Sequence, residues 1–513
     1  MGRQPREPSP ASIDRRKLLL GTGFAAANLA LVRALPGRAG HPGVAGVAPP
    51  AVAALAEEPS PGHRFDLVIA GGRVMDPASG FDEVADVGID GATVTAIATG
   101  QGPGLTGRRR IDAAGLVVAP GFIDILSYDP NPFGIWFKVA DGVTTNLGMH
   151  GVNAEAGPWL DHFAAEGCPT HFGGAFDDPW ARNQLGIAPD RAASSEQVKE
   201  LAAQAEAGLA AGWLGIDVEP EYTPGIDAAE IDALGRVAAE AKVPLFFHGR
   251  YSDVEPPGTN ADTLDEILGT ARRTGAAVHV EHIVSTGGTF SMEASLSTLE
   301  AARDEGLDVS ACTYPYDYWA TYMASARFDA GWQERYRISY ADLQVAGTDK
   351  RLTERTFQRH RAANDLAVAY AIPADDARRA LVHPLVIVAS DSIIEPGANN
   401  HPRGAGAFAR VLGRYVREDN ALALMDALAK MTWLPARRLE EGAPALRRKG
   451  RIQIGADADV TVFDPATVGD RATVADPAQP STGMAWVLVA GRVVKSPEGL
   501  QRQELPGQAI RYG

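Results

Sequence analysis

Four polar residues stand directly after short apolar runs. His248 follows Leu245-Phe246-Phe247, and His282 follows Val278-His279-Val280-Glu281. Asp391 follows the run from Leu385 to Ser390, and His150 follows the run from Gly142 to Met149. The chain has only 11 histidines, so three in this setting exceed what scatter would give. Imidazole suits zinc, and a catalytic zinc takes three protein ligands and keeps one position for water. An aspartate beside such a site can take a proton from that water. Each residue alone has a plainer reading. A strand-end histidine often only bonds its surroundings, and an aspartate after a serine often caps a helix. The joint placement carries the argument. His279 alternates with His282 and is expected to face a helix layer. His383, before Pro384, is expected to be structural.

Positioning these residues requires a particular frame. Between about residues 120 and 440, short apolar runs alternate with Ala-rich helical windows. Ala192–Ala211 is followed by Leu214-Gly215-Ile216-Asp217-Val218, and Ala228–Ala241 by Pro244-Leu245-Phe246-Phe247. Leu264–Thr274 is followed by Ala277-Val278-His279-Val280, and Leu296–Glu305 by Asp308-Val309-Ser310-Ala311. That alternation predicts parallel strands, and so many repeats predict closure into an α/β fold of the (β/α)₈ type. In such barrels chemistry sits where strands end. Residues 330–380 are charged and helical in pattern, with no strong strand, and are expected as an insertion over the barrel mouth. Both flanks read as strand and turn. Residues 57–119 carry Leu67-Val68-Ile69-Ala70-Gly71-Gly72-Arg73-Val74, and residues 441–513 repeat the theme at Val487-Leu488-Val489-Ala490-Gly491-Arg492-Val493. One small β-sandwich built from both chain ends is expected.

Composition narrows the partners. The 513 residues carry a net charge of −16, which argues against a general nucleic-acid binder. The two cysteines, Cys168 and Cys312, form no C-x-x-C pair, so a cysteine-rich zinc module is excluded. They read as buried small hydrophobes, with a single disulfide left open. Residues 1–56 read as an address: Arg15-Arg16 precedes a soft apolar run from Leu18 to Val32, and Ala54-Leu55-Ala56 is a small-residue cleavage pattern. This is the pattern of a twin-arginine export signal, which implies the twin-arginine export machinery as a partner and a periplasmic or extracellular destination. An uncleaved signal would instead anchor the chain to the membrane. The run is too short and soft for a confident transmembrane helix, and none is expected in the mature chain.

Several pieces taken in order resemble the amidohydrolase superfamily, and within it the D-aminoacylases, which are N-acyl-D-amino-acid deacylases. They are residues 66–74, Pro120-Gly121-Phe122-Ile123-Asp124, Tyr314-Pro315-Tyr316, Ser390-Asp391 and His401-Pro402-Arg403-Gly404. Val411–Arg417, Met431-Thr432-Trp433-Leu434-Pro435-Ala436 with Arg437, and Gly450–Asp464 complete the set. The resemblance covers about residues 64–513. It implies the barrel and sandwich, zinc, and hydrolysis of an N-acyl amide. It also implies that His248 and His282 are metal ligands and that His150 takes the place of a cysteine ligand. Asp391 matches the catalytic aspartate, Arg403 the arginine that holds the substrate carboxylate, and Tyr222 and Tyr314 substrate-side tyrosines.

Two departures qualify the match. The superfamily's His-x-His after Gly-Phe-Ile-Asp is replaced by Leu126 and Tyr128, and a family lysine by Val284. Leucine cannot ligate a metal, so one zinc per chain is expected rather than two. The resulting expectation is a hydrolase of a linear amide bond, with His150, His248 and His282 on zinc and Asp391 as the base. Arg403 and Arg250 would hold an anionic group of a small-molecule substrate. A metal-free, non-catalytic binding protein on the same fold and a cyclic amidohydrolase stand as alternatives.

Overall fold

The computed structural model describes residues 62–100 and 104–513, so the expected export signal lies outside the described residues. Three-residue apolar runs such as Leu245-Phe246-Phe247 cannot form sheet structure alone. They persist here because both faces are covered, as parallel strands require. Eight parallel strands follow in chain order: β1 (Phe122–Asp124), β2 (Val143–Gly148), β3 (His171–Gly174 with Phe176–Asp177), β4 (Ile216–Val218), β5 (Leu245–Phe247), β6 (Val278–Val280), β7 (Val309–Thr313) and β8 (Val386–Val388). The register is regular, with Leu245 beside Val278, Val278 beside Val309, and Ala311 beside Val386. The ring closes between β8 and β1, where the Asp391 amide donates to Leu126 O at 2.8 Å and the Ser390 amide to the Asp124 carboxylate at 2.9 Å. Lys138 lies 2.6 Å from that carboxylate in a fully buried pair. The barrel inferred from strand-helix alternation is the fold observed.

Alternation within each strand sorts side chains to two cores. Leu245, Phe247, Val278 and Val280 face outward to the helices, while Phe246, Leu126, Leu147, Met149, Cys312 and Ile387 fill the inside. By the same period of two, residue 279 points inward. His279 lies against Phe246, ring centroids 4.7 Å apart, with Nδ1 2.7 Å from Ser310 Oγ. The expected helix-layer position is therefore corrected. The chain kinks after Glu281, so His279 and His282 do not alternate.

The helices start and stop on local chemistry. Ser195–Ala211 opens on a capping box between Ser194 and Gln197 and ends at Gly212, φ 127°. Asn260–Thr274 opens on Thr259 with Asp262 and ends at Gly275, φ 76°. Each N-cap contributes about 1 kcal/mol, and each glycine takes a backbone region closed to most residues.

The long excursion between β7 and β8 departs from expectation. It carries an antiparallel sheet of Trp319–Tyr322, Leu366–Ala369 and Leu343–Val345. These strands are too short to leave a readable period in sequence. Ala374–Val382 packs on Met292–Asp304 and β8, as a barrel helix does.

Both chain ends share one nine-stranded sheet, in which Val117–Pro120 pairs antiparallel with Val460–Phe463, Val118 opposite Val462. Its apolar face includes Leu67, Ile69, Val87, Val460, Val462 and Leu488. Cys168 and Cys312 are both buried free thiols. Among the described residues, no helix is long and apolar enough to cross a membrane.

Candidate active site

The polar residues singled out at strand ends meet at one end of the barrel. His248 directly follows β5, and its amide extends the ladder to Val218 O at 3.0 Å. The Glu281 amide does the same to Phe247 O at 3.0 Å. His282 and Asp391 then take left-handed backbone, φ 23° and 51°. Such conformations are costly for residues other than glycine and are held only where the surroundings fix them. Here they turn both side chains over the barrel mouth.

The histidines converge. His248 Nδ1 faces His282 Nε2 at 3.1 Å. The rings of His150 and His248 stack with centroids 5.6 Å apart, and His150 meets His282 edge-on at 5.9 Å. His150, His248, His282 and Glu281 each offer one donor atom within 4.8 Å of the others, and all four are buried. Burial first, then the neighbouring His150 and Arg327 charges, hold His248 well below the usual histidine pKa. His282 is lowered likewise, by burial and then by His248 and His150. Both therefore stay neutral, the form that ligates metal.

Sequence reading missed three acids here. His150 Nδ1 lies 3.0 Å from Glu281, 3.3 Å from Asp217 and 3.6 Å from Glu219. Burial opposes charge on His150, but Glu281, Glu219 and Asp217 together raise its pKa well above the usual value. A signal existed: Asp217 and Glu281 interrupt apolar strands, and the period of two places 215, 217 and 219 inside the barrel.

Asp391 is fully buried, with Oδ2 2.7 Å from Arg403 Nη1 and 3.9 Å from His282 Nε2. The Tyr128 hydroxyl donates to its Oδ1 at 3.3 Å. Burial raises the Asp391 pKa, opposed by Arg403 and His150. Arg403 lies over the Tyr314 ring at 4.7 Å, and Tyr222 tilts against His248 at 4.6 Å. Thus both tyrosines and Arg403 join the site. Leu126 is buried with the inner core, while Tyr128 reaches the polar cluster. Arg250 does not join. Its guanidinium grips Glu266 at 2.8–3.1 Å and donates to the carbonyls of Pro224 and Ile226. Its partner, 16 residues along the chain, had no visible link to it in sequence.

A family model described as "Amidohydrolase family" matches residues 176–495. An N-acyl-D-glutamate deacylase of Alcaligenes xylosoxydans xylosoxydans is 33% identical over 84% of this chain and 94% of its own length. The chain belongs to the amidohydrolase family. A D-aminoacylase of the same organism is 28% identical over 88% of the chain and 97% of its own length. Among solved structures, the N-acyl-D-glutamate deacylase of Bordetella bronchiseptica, in complex with zinc and a phosphonate inhibitor, matches with TM-score 0.75. It is 28% identical and covers 88% of this chain and all of that one.

The residues of this amidohydrolase fit a divalent metal. Three imidazoles and a carboxylate form a donor set that zinc accepts once His150 gives up its proton. Glu219, 0% exposed, has no hydrogen-bond donor to either oxygen among the described residues. Burial raises its pKa well above the usual carboxylate range, opposed by the His150 charge beside it. The protein is a metal-dependent hydrolase of amide bonds.

Proposed function

We propose that this amidohydrolase removes the acyl group from N-acyl-D-amino acids, with one zinc-like ion per chain held by His150, His248 and His282. The observation that carries the reading is the meeting of the histidines with the Asp391–Arg403 pair, whose 2.7 Å contact lies 3.9 Å from His282. Glu281 stands ready as a further donor. The metal, when bound, polarises the scissile carbonyl and acidifies water. Asp391 takes a proton from the attacking water and returns it to the leaving amine. Tyr128 orients it. Arg403 grips the substrate carboxylate, a charge-assisted contact for which a guanidinium is shaped. As that anion arrives, it shares the Arg403 charge and leaves Asp391 Oδ2 for the proton. Tyr222 and Tyr314 flank the bound substrate. The relatives that act on N-acyl-D-glutamate support acidic D-amino acids as the first substrates to try.

The test is steady-state kinetics on N-acyl-D- and N-acyl-L-amino acids, with metal content measured. Turnover of the D series supports the assignment. Metal-loaded protein that hydrolyses nothing on the panel refutes the substrate class. We also propose export by the twin-arginine route, on Arg15-Arg16 and the soft apolar run that follows. Replacing both arginines with lysine should retain the full-length chain in the cytoplasm; unchanged export sinks this reading.

A further inference from the structure

The excursion between β7 and β8 reaches back to the histidine cluster through Tyr314 and, from further along, through the buried side chain of Arg327. Arg327 sits in the short turn Ala326–Phe328 and is 1% exposed. Its Nε lies 3.1 and 3.0 Å from the two oxygens of Glu221, and its Nη2 donates to Glu221 Oε2 at 2.7 Å. A further bond runs from Nη2 to Ser285 O at 3.2 Å, in the loop after His282. The Trp319 ring lies under the guanidinium at 4.7 Å. Glu221 follows β4, and its Oε2 lies 2.7 Å from His248 Nε2. Ser252 Oγ donates to its other oxygen at 3.2 Å.

The chemistry of this chain of contacts has a direction. A carboxylate held by a guanidinium accepts and does not donate, so the proton between Glu221 and His248 sits on Nε2. His248 Nδ1 is then left with its lone pair, and Nδ1 is the atom that faces His282 Nε2 at 3.1 Å. On the second ring, Nδ1 of His282 lies 3.3 Å from both Ser285 Oγ and Thr286 Oγ1, acceptors for an Nδ1 proton. That assignment turns Nε2 of His282 inward as well. Ligating histidines are held in one tautomer by an acceptor on the far nitrogen, and loss of that acceptor weakens metal binding by about 10–100-fold.

We propose that Arg327 and Glu221 act as positioning residues that fix His248 with Nδ1 toward the metal, so that docking of the 314–385 excursion is part of metal-site assembly. The inference rests on the metal-site reading above. Neither residue touches the reacting atoms. Arg327 acts by holding Glu221, and Glu221 by holding His248.

The test uses the purified protein loaded with Co²⁺, whose visible absorption reports ligand geometry, and measures affinity by competition with a chromogenic chelator. Glu221→Gln is nearly isosteric and should weaken Co²⁺ binding about 10–100-fold with an altered spectrum. Arg327→Met should do the same, and Arg327→Lys, which keeps the charge but not the fork, should recover part of the loss. A merely structural role would lower the melting temperature without moving the spectrum. Wild-type affinity and spectrum in Glu221→Gln overturn the proposal, even if Arg327→Met fails to fold. Wild-type protein that binds no Co²⁺ overturns the metal-site reading and this proposal with it.

Discussion

Replacing Asp391 with asparagine separates two roles that one carboxylate plays. The first is chemical. An amide cannot accept the proton of the attacking water, and loss of a general base costs about 10²–10⁴-fold in turnover. The second is electrostatic. Asp391 and Arg403 are 0% and 3% exposed, with Oδ2 and Nη1 2.7 Å apart. At an effective dielectric of about 20, charges at that distance attract by about 6 kcal/mol. Part of this offsets the cost of burying both ions. Removing one partner strands the other, which costs about 3–5 kcal/mol in folded stability. Asparagine still accepts from the Tyr128 hydroxyl, so the Tyr128 contact is kept. Asp391→Asn should therefore keep its metal, lose most turnover, and unfold at lower urea concentration. Adding Arg403→Met removes the stranded cation and should restore most of the stability but none of the turnover. The assay is turnover of an N-acyl-D-amino acid beside urea denaturation, each at measured metal content. Near-normal turnover in Asp391→Asn refutes the base assignment. Turnover that returns together with stability in the double variant shows that Asp391 matters only as the partner of Arg403.

Two further outcomes follow from other parts of the molecule. His150→Cys, which installs the ligand of the D-aminoacylases, should make metal binding more steeply pH-dependent, because a buried thiol beside Asp217, Glu219 and Glu281 must lose its proton before it can ligate; chelator competition that shows the wild-type pH dependence contradicts this. Lys430 is buried with its amine donating to His383 O and Val386 O, and burial lowers its pKa to about 7. Between pH 7 and the unfolded lysine value, the unfolded chain binds the extra proton, so stability rises with pH. The stability of the wild type minus that of Lys430→Met should rise as pH goes from about 7 to about 10 in urea denaturation, and a difference that stays flat or falls would count against it.

Much of the frame was legible because it rests on periodicity that survives in sequence. Apolar runs of three to six residues, each after a helical window, marked β4 to β7, and the residue after each run marked the barrel mouth. His248, His282 and Asp391 were visible for that reason. The acids were harder to see. Asp217 and Glu281 lie inside or against the apolar runs, where a polar residue reads as a pattern error until the inward face of the strand is known. His279 was misplaced because counting in twos fails across the kink at His282. Arg250 and Arg327 show the limit most clearly. Both are arginines near the site in space, and their partners decide their roles. Glu266 takes Arg250 away from the substrate, and Glu221 ties Arg327 to His248. Sequence carries no local mark of either pairing, since one partner is on a helix face and the other is 106 residues away. The short strands of the excursion left no period for the same reason that short words carry little grammar.

The central claim is a single divalent ion held by histidines at the barrel mouth. Elemental analysis of the mature protein, purified without chelator, tests it most directly, with His248→Ala and His282→Ala measured alongside. About one zinc-like ion per chain is expected in the wild type, and its loss in both variants. Two tightly bound ions would show that Leu126 and Tyr128 do not abolish a second position. No metal in the wild type, or a full complement in both variants, would contradict the account.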